Sequence, residues 1–176
     1  MKILIAYASK YGTAQACAER LESALKGKDV TTVALDRESV DPAAFDTVIF
    51  GSSVYFGRMR PSARQFLKTY EQTLLQKRTA LFLCCGLEGE YEYYREKFFS
   101  KELLAHAFAV MHFGGTLKLE GRSFWDRQIL RSIRSSLFEA DMDNGEYTPT
   151  YPVILPENVD KLASLISTEL GRLDNR

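Results

Sequence analysis

Short apolar runs alternate with segments of helical period along most of this chain. Strand-length apolar runs lie at 2–7, 30–35, 47–52, 79–85 and 107–114. Between them the spacing predicts helices over 13–25, 61–75 and 93–106, with a last one over 156–170. Pro61 and Pro156 suit first-turn positions, because the N–H that proline lacks has no partner there. Strand, helix and strand in repetition argue for parallel pairing with helices on both faces. The run ALFLCC at 80–85 is apolar throughout, as a strand buried on both sides would be. The reading is therefore α/β, a doubly wound five-stranded parallel sheet forming a single domain over 1–176. A ligand of such a sheet lies outside the carboxyl ends of the strands, where strand order reverses. That rule singles out three loops, at 8–12, 52–60 and 85–93.

The first of these loops carries the most chemistry. In KILIAYASKYGTAQACA, residues 2–18, an apolar strand runs into small and hydroxylated residues, and an Ala-rich helix follows at once. A helix start exposes about four unpaired N–H groups at the positive end of its dipole. A small-residue turn delivered to that point makes a phosphate pocket from backbone alone. Ser9 and Thr13 add hydroxyl donors, and Gly12 lets the main chain approach an anion closely. Neither the Walker spacing nor GxGxxG is present, and an ordinary strand-to-helix turn is the plain alternative.

Composition narrows the class. The 176 residues are 45% hydrophobic and 26% charged, with 23 Lys plus Arg balancing 23 Asp plus Glu. A zero formal charge argues against nucleic acid as a partner. No apolar run approaches the roughly 20 residues that span a bilayer. Cys17, Cys84 and Cys85 form neither a disulfide framework nor a metal-ligand spacing, so a reducing cytoplasm is the expected home. Cys84 and Cys85 are neighbours on a strand and should face opposite sides as packing residues. His106 and His112 are too isolated to suggest a metal or a catalytic base.

Three segments together resemble the cofactor loops of flavodoxin-like proteins: Tyr7 to Thr13, Gly51 to Gly57, and Cys85 to Gly89. The resemblance covers nearly the whole chain and implies strand order 2-1-3-4-5 with FMN as cofactor. It places the FMN phosphate in the first loop, with Ser9, Tyr11, Gly12 and Thr13 as holders and Ala14 giving only its N–H. Lys10 belongs to the same loop, turned to the phosphate or to solvent. Most relatives carry a second hydroxyl residue where Ala14 stands. A hydrogen bond to a charged group is worth about 1.5–3 kcal/mol, so its loss implies roughly ten- to hundred-fold weaker binding. The flavin ring would lie between the second loop (Ser53, Val54, Tyr55, Phe56, Gly57) and the third (Cys85, Gly86, Leu87). Tyr55 or Phe56 would stack on it, Gly57 would meet N5 through nearby backbone, and Tyr91 is a second stacking candidate. Glu88, Glu90 and Glu92 crowd the third loop, either near the ring or as a solvated face.

Within the family the chain looks similar to the branch that includes menaquinone-dependent protoporphyrinogen oxidase. Gly114-Gly115 and FWDRQILRSI at 124–133 carry that likeness. They belong to an insertion-like stretch, 115–152, near the fifth strand. From Trp125 apolar residues recur at Ile129, Ile133 and Leu137, while Arg127, Arg131 and Arg134 mark another side. A basic amphipathic helix over 124–138 either covers the core or makes a peripheral membrane contact.

Three functions follow as expectations. The first is an FMN-binding oxidoreductase or electron carrier, whose partner is a redox protein, a quinone or another small-molecule acceptor. The chemistry belongs to the flavin, so no catalytic side chain is expected. The second is the protoporphyrinogen oxidase itself. The third is a degenerate flavodoxin serving as a non-catalytic interaction module, for which Ala14 is the best argument. A receiver domain is a poor match, because Ala8, Ser9 and Lys10 stand where it needs an acidic pair.

Overall fold

The computed structural model of the chain describes residues 1–86, 88–115 and 154–174. Its parallel strands are β1 (Lys2–Ala8), β2 (Asp29–Ala34), β3 (Thr47–Tyr55), β5 (Arg78–Cys84) and β6 (Ala109–His112). A two-residue strand, β4 (Arg58–Met59), pairs antiparallel with the end of β3. The sheet order is β2-β1-β3-β5-β6, with β4 off the main path. Leaving that hairpin aside, this is the 2-1-3-4-5 order that the resemblance implies.

Alternation along the strands feeds two cores, one on each side of the sheet. Ile3, Ile5 and Tyr7 of β1 meet Ala14, Cys17, Ala18 and Leu21 of α1 (Thr13–Ala24) on one side. The same layer holds Val159, Leu162, Ala163 and Ile166 of α5 (Pro156–Asp174). Leu4, Ala6 and Ala8 turn to the other side, against Ala63, Phe66 and Leu67 of α2 (Pro61–Leu74). Cys84 belongs to the first core and Cys85 to the second, as the two-residue strand period requires. Cys84 Sγ lies 3.8 Å from Cys17 Sγ, and none of the three cysteines is in a disulfide.

Two elements differ from the sequence expectation. The helix expected over 93–106 is two helices, α3 (Tyr91–Phe98) and α4 (Lys101–His106). Phe99 is extended at φ −111°, and Ser100 caps α4 by accepting the Leu103 N–H at 3.1 Å. A serine that caps a new helix ends the old one, since its side chain competes for backbone donors. The second candidate loop is largely ordered strand, because β3 runs on to Tyr55 and returns as β4. Leu87 and the insertion-like stretch beyond Gly115, with the helix expected at 124–138, lie outside the described residues.

Candidate functional site

Register fixes where the three loops meet. Ala8 of β1 pairs with Ser52 of β3, and Ser53 pairs with Cys84 of β5. The three strands therefore end side by side, about 10 Å across at the ~4.8 Å strand spacing. From this edge α1 leaves toward one core and α2 toward the other. The loops after β1, β3 and β5 thus flank the crevice that a reversal of strand order opens.

The first loop is shaped by its backbone. Gly12, the cap residue of α1, sits at φ +84°, a left-handed value that costs glycine nothing. Among the described residues nothing lies within 4 Å of the place where a Gly12 Cβ would stand, so the glycine is required by its φ and not by crowding. Ser9 Oγ accepts the Ala14 N–H at 3.2 Å, which leaves the hydroxyl proton to donate elsewhere. Ala14 itself is fully buried, its methyl in the α1–α5 core.

A residue that the sequence did not single out ties this loop down. Asp36, just past β2, accepts the Ser9 N–H at 2.9 Å, Ser62 Oγ at 2.8 Å and the Arg60 guanidinium at 3.0 Å. One carboxylate thereby joins the phosphate-type loop to the start of α2. Burial pushes the Asp36 carboxyl up, but the hydrogen bonds from Arg60, Ser62 and Ser9 outweigh it and hold its pKa below the usual value. The only forewarning was position, since Tyr7 pairing with Ala34 brings the residues after β2 beside Ser9.

The second loop is a tight hairpin. Phe56 at φ +47° and Gly57 at φ +68° are successive left-handed residues, as a type I′ turn demands. Phe56 is a non-glycine residue in that region and is 39% exposed. The Lys10 N–H donates to Ser53 Oγ at 3.4 Å, linking first and second loops. Tyr11 meets Tyr55 edge-on at 5.4 Å, and Tyr55 meets Phe56 at 4.3 Å. The Lys10 ammonium lies 3.8 Å from the centre of the Tyr55 ring. Val54 is bound into the hairpin opposite Met59.

The third loop leaves β5 at Cys85 and Gly86 and enters α3 at Tyr91. Cys85 is buried, and burial with the nearby Glu90 charge pushes its thiol up to about 12. It is no thiolate nucleophile. The Tyr91 ring stacks on His112 at 4.7 Å, and its buried hydroxyl oxygen has no hydrogen-bond partner among the described residues. Burial first, then the Glu92 charge, pushes Tyr91 up to about 12, so it keeps its proton. Of the loop carboxylates, Glu90 accepts from the Tyr94 hydroxyl and Glu92 pairs with Arg95 at 3.2 Å. Both are engaged by their own helix. Among the described residues no group of three or more His, Cys, Asp or Glu is disposed to hold a metal ion. Nor is any described helix long and apolar enough to cross a membrane.

Comparison with known proteins agrees with this fold. Residues 4–143 match the family model described as Flavodoxin domain. No curated protein matches the chain. Among solved structures, the Fusobacterium nucleatum flavodoxin bound to flavin mononucleotide superimposes with TM-score 0.53 at 12% identity, over 96% of this chain and 99% of its own. Flavodoxin 2 of Bacillus cereus gives 0.51 at 23% identity, over 80% of this chain and 99% of its own. The rubredoxin oxygen:oxidoreductase of Desulfovibrio gigas gives 0.50 at 18% identity and is covered over only 35% of its length, against 79% of this chain. At such identities the structural likeness speaks for the fold, while the family model covers most of the sequence. The chain belongs to the flavodoxin domain family.

Proposed function

We propose that this protein binds FMN at the carboxyl edge of β1, β3 and β5 and works as an electron-transfer flavoprotein. The observation that carries the reading is the left-handed Gly12 at the start of α1, at the carboxyl edge of the sheet, with the Ser9 hydroxyl held against the first turn. That arrangement suits a phosphate, since helix-start amides and an oriented hydroxyl are donors with no need of a cation. Ser9, Tyr11, Gly12 and Thr13 would hold the head group, while the Ala14 N–H, given to Ser9 Oγ, keeps that hydroxyl in place. The Lys10 ammonium stands in the same loop and adds positive potential for an anion.

For the ring, the residues at hand are Tyr55, Phe56 and the Gly57 backbone on one side, and Cys85, Gly86, Leu87 and Tyr91 on the other. The unpaired, protonated Tyr91 hydroxyl supports a polar ligand there, because a buried donor left alone costs stability. Bound FMN supplies transfer of one or two electrons. The protein's own residues bind and orient it and set the polarity around it. A redox protein, a quinone or another small acceptor completes the exchange, in a cytoplasmic setting.

A narrower reading, the protoporphyrinogen oxidase branch, rests on the sequence likeness of Gly114-Gly115 and of residues 124–133. Gly114 takes φ +71°, and a Cβ at Gly115 would lie 2.6 Å from the Cys85–Gly86 peptide. On this reading the 124–138 segment serves the quinone side and its arginines meet a membrane surface. Turnover of protoporphyrinogen with a quinone acceptor separates this enzyme from a plain carrier.

Titration of the purified protein with FMN tests the main reading. Saturable quenching of flavin fluorescence at one FMN per chain is expected. Fluorescence that never quenches would leave the interaction module as the better account.

A further inference from the structure

The third loop has a support that lies outside the three loops themselves. His112 ends β6, beside β5 through the pairing of Leu83 with His112. Its Nε2 stands 3.0 Å from the Cys85 carbonyl oxygen and 3.2 Å from the Cys85 sulfur. A carbonyl can only accept, which assigns the hydrogen to Nε2 and makes the imidazole the donor. One face of the imidazole is covered by the Tyr91 ring.

The histidine is itself held. Its backbone carbonyl accepts the Asn158 side-chain amide at 2.8 Å, and the Phe113 N–H donates to Leu83 at 2.9 Å. Three residues on, Gly115 presses against the same Cys85–Gly86 peptide, at a spacing that admits no Cβ. An imidazole hydrogen bond and a glycine contact therefore converge on one peptide of the third loop, from β6 and its continuation. A rigid donor on a strand fixes a loop better than the loop's own contacts do.

We propose that His112 is a positioning residue for the flavin ring, fixing the Cys85–Gly86 peptide so that ring affinity depends on it and phosphate affinity does not. The inference rests on the FMN reading above. It gives work to a histidine whose sequence context assigned it none.

The test compares FMN with riboflavin, which carries the ring without the phosphate, in wild type and in His112→Phe, His112→Gln and Gly115→Ala. His112→Phe keeps a flat ring and removes the donor. It should weaken both flavins by about fivefold to tenfold, the scale of one hydrogen bond, with their affinity ratio unchanged. The visible circular dichroism of bound FMN should change with it. His112→Gln retains an N–H donor and should recover most of both. Gly115→Ala reaches the same peptide independently and should reproduce the ring-side loss, which serves if His112→Phe fails to fold. Unchanged affinities in all three variants overturn the proposal, as does a loss confined to FMN. Binding of neither flavin by the wild-type protein overturns the FMN reading and His112's role together. Wild-type binding with insensitive variants overturns the role of His112 alone.

Discussion

The first and third loops flank the same crevice and are built by different means. The first is a backbone device: a left-handed glycine, a helix start and a serine whose oxygen accepts a first-turn amide and keeps its own proton to donate. Its shape is set within six residues of chain and steadied by one outside carboxylate, Asp36. The third has no such local logic. It is held by an imidazole from the next strand, a tyrosine stacked on that imidazole and a glycine that admits close approach. On the FMN reading, the charged head group would be met chiefly by local main-chain geometry, and the neutral ring edge by loops that tertiary packing places.

The comparison is broken most severely at Asp36. Asp36→Ala strands the Ser9 N–H, Arg60 and Ser62 together, and should cost about 2 kcal/mol in urea unfolding, discounted for partial exposure. FMN should weaken more than the ring alone, since the first loop loses its tie. The pH dependence has a definite sign. The Asp36 pKa is lower folded than unfolded, so its contribution is complete above about 3.9, the ordinary value. It is lost as pH falls through the lower folded value. The stability gap between wild type and Asp36→Asn should therefore close in acid, and a gap that widens there would refute the assignment.

Gly12→Val comes next. At φ +84° a side chain costs about 1–2 kcal/mol whatever the space around it, and thermal melts should show that loss without ligand. Tyr91→Phe works on the other loop. Removing an unpaired buried hydroxyl should raise ligand-free stability by up to about 1 kcal/mol. The same change should weaken flavin binding if the ligand supplies the missing partner. Stability that falls instead would show the hydroxyl already satisfied.

The smallest effect is expected at Ala14. Its methyl lies in the core between α1 and α5, so Ala14→Ser should leave FMN affinity within about threefold, the scale of half a kcal/mol. A gain of tenfold or more by fluorescence titration would mean that the hydroxyl reaches the phosphate after all.

Sequence patterning carried the architecture far. The run ALFLCC reads as a strand buried on both faces, which it is, and the helical period over 13–25 is α1, Thr13–Ala24. The first loop was legible because its chemistry is contiguous in the chain. Other features were hidden for different physical reasons. Ser100 carried a capping signal, with Glu102 in the following turn, but a continuous helical period masked it. The Phe56-Gly57 turn requires a left-handed phenylalanine, which no propensity favours. His112 reaches Cys85 and Asp36 reaches Ser9 through strand register and crossovers, across 27 residues in each case. Nothing local in sequence records such a meeting.

Calorimetric titration of the ligand-free protein with FMN and then with riboflavin tests the central claim most directly. The account predicts one FMN per chain, with affinity falling at least about tenfold when the phosphate is absent, the least that one charged hydrogen bond contributes. Equal affinities for the two flavins, or no heat with FMN, would contradict it.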